Sequence, residues 1–492
     1  MAELDRGTAL PGPGDLVLAA GAGVTGLPVV RYLAARGARV VVAANRAAPP
    51  ELARIDGDVT FAGDLTAPPD GTGLVVTSAG IPPTDPLLAG ATAAGIEVIG
   101  EVELAWRIDL AASSSGGAPR PWLVVTGTNG KTTTTGMLES ILRAAGHDIR
   151  ACGNIGWPVL EAVLAGGQGA LPGTGTGTDG VENPPGRQDV IAVELSSFQL
   201  HWAPSLRPTA GVVLNLAQDH LDWHGSMAAY GQAKARALTG DVALAVTDDP
   251  GAAALLAGAP APRRIAVGLG PPIAGGMGVI DGLLTDHAYA DPPRPLARAD
   301  QVRPPGSHNV TNALAAAGLA LAVGVTPGAV AGGLAAFRPG GHRNVLVAQR
   351  AGVRYVDDSK ATNPHAALAS LLAYPRVVWV AGGQLKGAAV DELVCAVADR
   401  LVGAVLLGAD APMIHAALSR HAPDVPVLPV PGTDDDVMRS VVSAAARMAA
   451  AGDVVLLAPA AASLDMFSSY AARGDAFTGA ARELPDDRPA SS

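Results

Sequence analysis

The sequence lacks several features that would each indicate a particular class of protein. It has only two cysteines, Cys152 and Cys395, which are too few and too far apart for a disulfide-stabilised scaffold. No uninterrupted apolar run approaches the ~20 residues that span a bilayer. The N-terminal stretch has no long apolar core, so we expect no signal peptide. These absences together predict a protein of the reducing cytoplasm.

Positive charge is also scarce. The chain has 34 Lys and Arg residues against 45 Asp and Glu, which gives a formal net charge of -11. Surfaces that bind nucleic acid normally carry clustered basic residues, so the composition predicts no nucleic-acid partner. We expect a cytoplasmic monomer that acts on small molecules, and an anionic substrate must then be held by a few local positive groups.

The length and the pattern of the 492 residues indicate several domains. At roughly 150 residues per domain the chain should hold about three. Strand-like runs alternate with alanine-rich helical stretches, the pattern of α/β layers built on parallel sheets. Residues 111–120 look like a linker, 166–187 like a Gly- and Pro-rich surface excursion, and 337–344 interrupt an alanine-rich helix. The domains are therefore predicted at 1–118, 119–338 and 339–492.

A glycine motif opens the first predicted domain. The sequence GAGVTG at residues 21–26 stands between a predicted strand and a predicted helix, where a helix N-terminus can receive a phosphate. An NAD-linked oxidoreductase would usually have Asp or Glu at the end of the next strand, but Asn45 and Arg46 stand there. Another phosphate-bearing ligand is favoured, although a turn needed only for packing stays open. Residues 77–83 form a second loop that could contact the same ligand.

A second motif, VTGTNGKTTTT at residues 125–135, follows a predicted strand. It differs from the common P-loop because the position five residues before Gly130 is not glycine. Phosphate binding does not require that glycine. Backbone N–H groups can still surround phosphates, Lys131 can reach the β- and γ-oxygens, and the Thr132 hydroxyl can contact Mg²⁺. Glu194 ends a later predicted strand and is a natural Mg²⁺ ligand.

Histidine and acidic residues follow another predicted strand. They are Asp219, His220, Asp222 and His224. By composition they could form a metal site, although a histidine in a loop is often only solvated. Lys234 follows on a predicted helix, with Tyr230 four residues before it. This spacing alone favours a solvated surface lysine.

Several motifs together resemble the Mur ligase family of peptidoglycan synthesis. They are GTNGKTTTT, ELSSFQL, NLAQDHLDWHG with YGQAKAR, GSHNVTNALAA and DDSKATNP, and they occur in the family's order over essentially the whole chain. The resemblance implies a three-domain α/β fold with a Rossmann-like N-terminal domain, a central P-loop ATPase-like domain and a Rossmann-like C-terminal domain. It also implies an ATP-dependent amide-bond ligase that works through an acyl phosphate.

The resemblance also assigns roles to individual residues. The implied catalytic residues are Lys131, His220 and Lys234. The implied ATP-binding residues are Gly127, Thr128, Asn129, Gly130, Lys131, Thr132, Thr133, Asn312, Arg343 and Asp358. The implied Mg²⁺ ligands are Thr132, Glu194, His220 and Lys234, the last as an N6-carboxylated (carbamylated) lysine. The implied substrate contacts are Thr25, Asn45, Arg46, Ser78 and Gly80 for a uridine diphosphate, Asn154 for a muramoyl group, and Thr362, Lys386, Ser463 and Phe467 for an incoming amino acid.

Within the family, DDSKATNP and GTNGK favour the addition of D-glutamate to UDP-N-acetylmuramoyl-L-alanine over an L-alanine-adding ligase or a folylpolyglutamate synthase. An ammonium at Lys386 paired with a hydroxyl at Ser463 suits a side-chain carboxylate. Only the resemblance favours the D form. A non-catalytic nucleotide-binding regulator is disfavoured because the implied metal and lysine residues are all present.

Two features depart from the family pattern. Asn344 follows Arg343 where the family commonly has an acidic residue nearby, so a domain-closure contact is expected to differ. The excursion at 166–187 is not a usual family feature.

Overall fold

The computed structural model describes residues 10–114, 120–166, 187–432 and 436–486. Across these ranges the strands form three sheets, each flanked by helices. The middle of the predicted linker and nearly all of the predicted excursion lie outside the described residues. The chain divides into two compact units, Met1–Ala299 with Thr311–Phe337 and Asp300–Val310 with Arg338–Ser492. In the described ranges no helix combines the length and the apolar character needed to cross a bilayer.

Residues 10–114 form a Rossmann-like layer with a parallel sheet. Its elements are β1 (Leu16–Ala20), α1 (Gly26–Ala35), β2 (Arg39–Ala43), β3 (Val59–Gly63), β4 (Leu74–Thr77), α2 (Pro86–Ala93), β5 (Glu97–Gly100) and α3 (Glu101–Ser114). The strand order is β3-β2-β1-β4-β5, and every pair is parallel. The chain winds in opposite directions from β1, so the crevice beyond the ends of β1 and β4 is the expected ligand position.

Residues 120–337 build a second, larger sheet. Its elements are β6 (Trp122–Thr126), α4 (Lys131–Ala144), β7 (Cys152–Gly153), α5 (Val159–Leu164), β8 (Ile191–Glu194), α6 (Ser197–His201), β9 (Ala210–Val213), α7 (Leu221–His224), α8 (Met227–Ala235), β10 (Val242–Val246), α9 (Pro250–Ala257), β11 (Arg263–Val267), β12 (Met277–Ile280), β13 (Leu283–Asp286), β14 (Arg294–Arg298), α10 (Ser307–Ala322) and α11 (Pro327–Ala336). The order is β14-β13-β12-β11-β10-β9-β6-β8-β7. Pairing is parallel from β7 to β12 and antiparallel through β12, β13 and β14.

Residues 338–486 form the third sheet. Its elements are β15 (Val345–Arg350), β16 (Val353–Asp357), α12 (Pro364–Leu371), β17 (Val377–Gly382), α13 (Asp391–Val397), β18 (Leu401–Leu407), α14 (Ala411–His421), β19 (Val427–Pro429), α15 (Val437–Met448), β20 (Val454–Leu457) and α16 (Tyr470–Glu483). The order is β15-β16-β20-β17-β18-β19, with only the β15–β16 pair antiparallel in this described range. The apolar runs VVWVAGG, AVLLGAD and VVLLAPA contain β17, β20 and most of β18 in the order β17, β18 and β20.

Helix α3 ties the first sheet to the second inside the larger unit. Glu101 accepts the backbone N–H of Leu160 at 2.5 Å, near the start of α5. Asp109, eight residues further along α3, accepts from Arg120 Nε at 2.6 Å and from Trp122 Nε1 at 2.8 Å. These carboxylates are buried. Because each has a hydrogen-bonding partner in the other sheet's segment, the two layers are joined by specific contacts and not only by apolar packing.

The buried Glu101 makes the stability of this connection dependent on pH. Burial raises the pKa of its carboxyl from 4.5 to about 7, so the folded chain holds the proton more tightly than the unfolded chain. The stabilisation from this proton is complete below pH 4.5 and is lost as the pH rises through 7. Between pH 5 and pH 8 the free energy of unfolding of wild type should fall by about 3 kcal/mol more than that of Glu101→Gln, because the glutamine side chain stays neutral. Chemical denaturation at both pH values measures this fall.

The control for this prediction is Glu51→Gln, because Glu51 is an exposed acid of the same layer. It should leave the pH dependence unchanged. Equal declines in wild type and Glu101→Gln would contradict the prediction.

Candidate active site

The phosphate loop joins β6 to α4. Gly127 and Gly130 have φ of 154° and 84°, values that favour glycine. A Cβ on Gly130 would lie 2.7 Å from Oδ1 of Asn312, so this position also requires glycine for space. The same proximity puts Asn312, one of the implied ATP-binding residues, beside the loop. Glycine at the N-cap of α4 provides no side chain to cover the first N–H groups, which suits an anion.

The Lys131 side chain folds back over this loop. Its Nζ donates to the carbonyl oxygens of Gly127 at 2.9 Å and Thr128 at 2.8 Å. The positive charge therefore lies at the bend of the loop, as the motif predicts. Thr132 and Thr133 follow in the first turn of α4, half-buried and buried respectively. Phosphate oxygens are acceptors of the same kind as the two carbonyls and can take their place.

Two residues from distant segments support the loop. Asn215, just after β9, accepts the N–H of Asn129 at 2.8 Å through Oδ1 and donates to the Asn129 carbonyl at 3.1 Å through Nδ2. The hydroxyls of Thr128 and Tyr230 are 2.9 Å apart. The motif did not reveal these supports. The one sequence signal for Asn215 is a polar side chain directly after an apolar strand.

Glu194 ends β8 and is 1% exposed. Its Oε1 accepts from Asn154 Nδ2 at 2.8 Å, whereas its Oε2 is buried and has no hydrogen-bond partner among the described residues. A buried carboxylate oxygen without a partner is costly, and a cation would satisfy it. Mg²⁺ prefers oxygen ligands, so the donor is of the right kind. Asn154 is predicted to face a muramoyl group, and its amide also donates to this carboxylate.

The interpretation of Lys234 as a solvated surface lysine is wrong. Lys234 is 1% exposed, and its Nζ donates to the Gly127 carbonyl at 2.8 Å and lies 4.7 Å from the centroid of the Tyr230 ring. Burial, and next the positive charge of Lys131, lower the pKa of Lys234 well below its ordinary value. The spacing on α8 did not predict burial because the covering group, the phosphate loop, lies a hundred residues earlier in the chain.

His220 stands at the N-cap of the short helix α7. Its backbone is left-handed, with φ of 52°, and its half-exposed ring has Nε2 3.4 Å from Asp219 Oδ2. His224 Nε2 lies 2.9 Å from the Ser197 hydroxyl, and burial lowers the pKa of His224 to about 4, so this ring is neutral.

Of the two interpretations left open for the histidine and acidic residues at 219–224, a metal site formed by these residues alone is not supported. Throughout the described ranges, no group of three or more His, Cys, Asp or Glu side chains converges in this way. Mg²⁺ usually keeps few protein carboxylates and completes its shell with water and substrate phosphates, so it does not need such a cluster.

The glycine motif of the first sheet packs against the loop after β4. A Cβ on Gly21 would lie 2.3 Å from Ser78 Oγ, and one on Gly26 would lie 2.2 Å from the Gly21 carbonyl oxygen. These two glycines are therefore needed for close packing. A Cβ on Gly23 or Gly80 would meet nothing within 4 Å. The space that these two glycines leave open is where a ligand could approach the backbone.

Three further predicted contacts lie at the same edge of this sheet. Thr25 is the N-cap residue of α1, whose first turn contains no acidic residue. Asn45 and Arg46 are exposed directly beyond β2, the neighbour of β1. An uncapped helix start with a nearby cation is suited to an anion.

In the third sheet, the ends of β16, β20 and β17 come together because these strands are adjacent. Gln384 and Ala462 exchange two backbone hydrogen bonds of 2.9 Å, which joins the Lys386 loop to the Ser463 loop. The N–H of Ala460 donates to the carbonyl oxygen of Ala361 at 2.9 Å, and Ala361 directly precedes Thr362 in the chain. The structure thus brings Thr362, Lys386 and Ser463 onto neighbouring loops. Phe467 is half-buried and packs against an apolar cluster of this unit.

Arg343 and Asp358 interact within the same unit. Burial raises the pKa of the Asp358 carboxyl to about 6, and the positive charge of Arg343 opposes this rise. The Asn344 N–H donates to Asp358 Oδ1 at 3.2 Å, so the residue that departs from the family pattern holds the carboxylate through its backbone.

Arg473 is a supporting residue that the sequence did not reveal. It is 1% exposed and donates to the carbonyl oxygens of Ser359 at 2.9 Å, Gly382 at 3.2 Å and Ala461 at 3.1 Å. Each acceptor lies at or just beyond the end of a different one of the three strands β16, β17 and β20. Arginine in a helix is usually exposed, so the sequence RGDAF gave no signal of this role.

A groove of about 450 Å³ lies near the C-terminal end of α4, lined by small residues with His147 and Thr326. At 1.5 Å per residue, this end of the helix is about 20 Å from Lys131. The groove is therefore separate from the phosphate loop.

The three sheets and the phosphate loop define a multidomain α/β protein of the nucleotide-binding class. The chain belongs to the Mur ligase family. Three family models match it: the Mur ligase MurD-like N-terminal domain at residues 15–100, the Mur ligase middle domain at 125–320 and the Mur ligase glutamate ligase domain at 342–461. The predicted three-domain α/β fold is confirmed.

Particular relatives cover nearly the whole chain. Proteins from Rhodococcus jostii (strain RHA1) and Mycolicibacterium smegmatis are each 51% identical over 96% of this chain, and over 96% and 97% of their own length. Both are named UDP-N-acetylmuramoylalanine--D-glutamate ligase.

Solved structures give a likeness of fold. MurF ligase from Thermotoga maritima in complex with ADP has a TM-score of 0.52 at 15% identity, covering 97% of this chain and 96% of its own. MurF from Acinetobacter baumannii has a TM-score of 0.54 at 16% identity, with 97% and 92% covered.

Proposed function

We propose that this chain joins D-glutamate to UDP-N-acetylmuramoyl-L-alanine, with ATP as the energy source. The observation that carries this proposal is the similarity to ligases of that name, at 51% identity over 96% of both chains in the Rhodococcus relative. So little of either sequence is left unmatched that a different domain arrangement is not expected.

The reaction needs an activated carboxyl group, because the charge of a carboxylate resists nucleophilic attack. Transfer of the γ-phosphoryl group of ATP to the carboxylate of the nucleotide substrate gives an acyl phosphate and ADP. The neutral amine of D-glutamate then attacks the acyl carbon, phosphate leaves, and the amine loses its proton as the amide forms. Lys131, at the bend of the phosphate loop, stabilises the charge on the phosphoryl oxygens.

Mg²⁺ is proposed as the metal of this site, held by Glu194, His220, the Thr132 hydroxyl and the modified Lys234. The Oε2 of Glu194, which is buried and has no hydrogen-bond partner within the described part of the chain, supports Glu194 as one of these ligands. When bound, the ion would neutralise phosphate charge. Asn154, which donates to the other carboxylate oxygen at 2.8 Å, would keep the Glu194 carboxylate correctly oriented.

A carbamate on Lys234 is supported by its position beside Lys131. Both lysines donate to the same Gly127 carbonyl oxygen, at 2.9 Å for Lys131 and 2.8 Å for Lys234. Two ammonium groups at one acceptor repel each other, and burial already favours the neutral amine of Lys234. That amine can attack CO₂ and lose a proton to give a carbamate. The product presents anionic oxygens to Lys131 and to a cation.

The remaining roles are assigned by domain. Residues 1–118 would bind the uridine diphosphate end of the substrate, residues 119–338 would bind ATP, and residues 339–492 would bind glutamate. In the first domain, the uncapped start of α1 and the open space at Gly23 and Gly80 support an anionic ligand. The ATP contacts of Arg343 and Asp358, the cytoplasmic location and the monomeric state stay predictions.

The proposed function predicts a sharp choice of amino acid. D-glutamate should support ADP release far better than L-glutamate, L-alanine or meso-diaminopimelate. The assay uses the wild-type chain with ATP, Mg²⁺ and UDP-N-acetylmuramoyl-L-alanine, and each amino acid in turn. A preference for L-alanine with unsubstituted UDP-N-acetylmuramate would assign the chain to a different ligase of the family.

Lys386→Ala should raise the KM for D-glutamate by about 10- to 100-fold and leave the KM for ATP within twofold. The reason is that a hydrogen bond from a charged group to a carboxylate contributes about 1.5–3 kcal/mol. Steady-state kinetics with each substrate varied in turn measures both constants. Arg420→Ala is the control, since Arg420 is an exposed cation of the same unit, paired with Asp391. An unchanged KM for glutamate in Lys386→Ala would place the glutamate site elsewhere.

A further inference from the structure

A hydrogen bond links helix α7 to the loop that follows β4. The indole Nε1 of Trp223 donates to the carbonyl oxygen of Gly80 at 3.1 Å. Gly80 lies two residues after Ser78, in the loop that packs against the glycine motif. Because a Cβ on Gly80 would meet nothing within 4 Å, the carbonyl is held while the Cα side stays open to a ligand.

A second indole holds the next carbonyl of the same loop. Trp202 Nε1 donates to the Ile81 carbonyl oxygen at 3.4 Å, and the Trp202 carbonyl accepts the Gly100 N–H at 2.8 Å. Both tryptophans come from the second layer, and both pack with an apolar cluster of the first. Two consecutive carbonyls of one glycine-containing loop are therefore fixed from outside their own sheet.

The Trp223 ring is itself held by its neighbours. Its centroid lies 4.6 Å from that of Phe198, and the Phe198 centroid lies 4.7 Å from that of His220. Trp223 is also only three residues after His220 on α7. The ring of Phe198 thus lies between the Trp223 indole and the His220 imidazole.

We propose that Trp223 is a positioning residue for the uridine nucleotide: it holds the loop after β4 in the shape that receives the substrate, through its bond to Gly80. The proposal rests on the proposed function of the first domain. A glycine loop loses more conformational freedom on ordering than other loops, so an external hydrogen bond lowers the cost of binding.

The test is Trp223→Phe, which keeps an aromatic ring against Phe198 but removes the N–H donor. The KM for UDP-N-acetylmuramoyl-L-alanine should rise about five- to tenfold, the range expected for one lost hydrogen bond, while kcat and the KM for ATP stay within twofold. Calorimetry with the nucleotide alone should give the same rise in Kd. Loss of packing alone would not single out one substrate.

Trp106→Phe is the matched control. The Trp106 Nε1 is buried and has no hydrogen-bond partner in the described part of the chain, so this change shrinks a ring without removing a bond. Its KM for the nucleotide should equal that of wild type. Trp202→Phe removes the longer bond to Ile81 and should raise the KM about threefold.

The outcomes separate the two proposals. If wild type binds the uridine nucleotide and a folded Trp223→Phe binds it equally well, the positioning role is overturned and the proposed function stands. If Trp223→Phe does not fold, an unchanged Kd in Trp202→Phe overturns it. If wild type itself does not bind the nucleotide, the proposed function fails with it.

Discussion

Lys131→Ala should lower the turnover of the ligase by about 100-fold or more and leave the chain folded. Loss of one group that stabilises transition-state charge commonly costs 10²–10³ in kcat. The Lys131 ammonium donates to two carbonyls of its own loop, Gly127 and Thr128. ADP release under saturating substrates, with thermal melting to verify folding, measures the effect.

Arg143→Ala is the control for this prediction. Arg143 lies in the last turn of the same helix and pairs with Glu139, so its loss changes charge on α4 far from the loop. Its turnover should be close to that of wild type. A folded Lys131→Ala protein with turnover within threefold of wild type would remove this lysine from the chemistry.

The second large effect is expected at Lys234. Lys234→Ala should be almost inactive, with a loss of at least about 100-fold, because the anionic oxygens that a carbamate would present disappear. The buried space left by the side chain can admit formate or acetate. Added carboxylate should therefore restore part of the activity, and turnover as a function of its concentration measures the rescue.

Lys131→Ala provides the control for the rescue experiment. Its missing group is a cation, so formate or acetate should not restore its turnover. The sequence contains only four lysines, so a carbamate trapped chemically in wild type can be assigned to its residue by mass. Full activity of Lys234→Ala without added carboxylate would disprove the modification.

Local sequence predicted the parts of the site that are local in structure. The phosphate loop could be predicted because strand, glycines, lysine and helix are contiguous in residues 122–144. Glu194 was placed correctly at a strand end for the same reason. The hairpin between β12 and β13 was missed, although its signal was present: Asp281 and Gly282 both have positive φ, as the Asp-Gly turn of a tight hairpin requires.

The parts that sequence did not predict depend on contacts between distant segments. Lys234 is covered by a loop that lies about a hundred residues earlier in the sequence. Asn215 hydrogen-bonds to Asn129, which is 86 residues away in the sequence. Arg473 reaches Ser359 and Gly382 across 114 and 91 positions. Polar residues on helices and loops usually contact solvent, so single-residue patterns favour exposure. Only the fold determines which of them are buried.

The left-handed backbone of His220 has a consequence for any mutational study of the metal ligands. An alanine at a φ of 52° carries strain from its Cβ, whereas asparagine tolerates this conformation comparatively well. A loss of activity in His220→Ala would therefore combine two causes, a distorted chain and a missing ring. His220→Asn removes the imidazole with less backbone strain, so comparing the melting temperatures of the two variants reports on that strain.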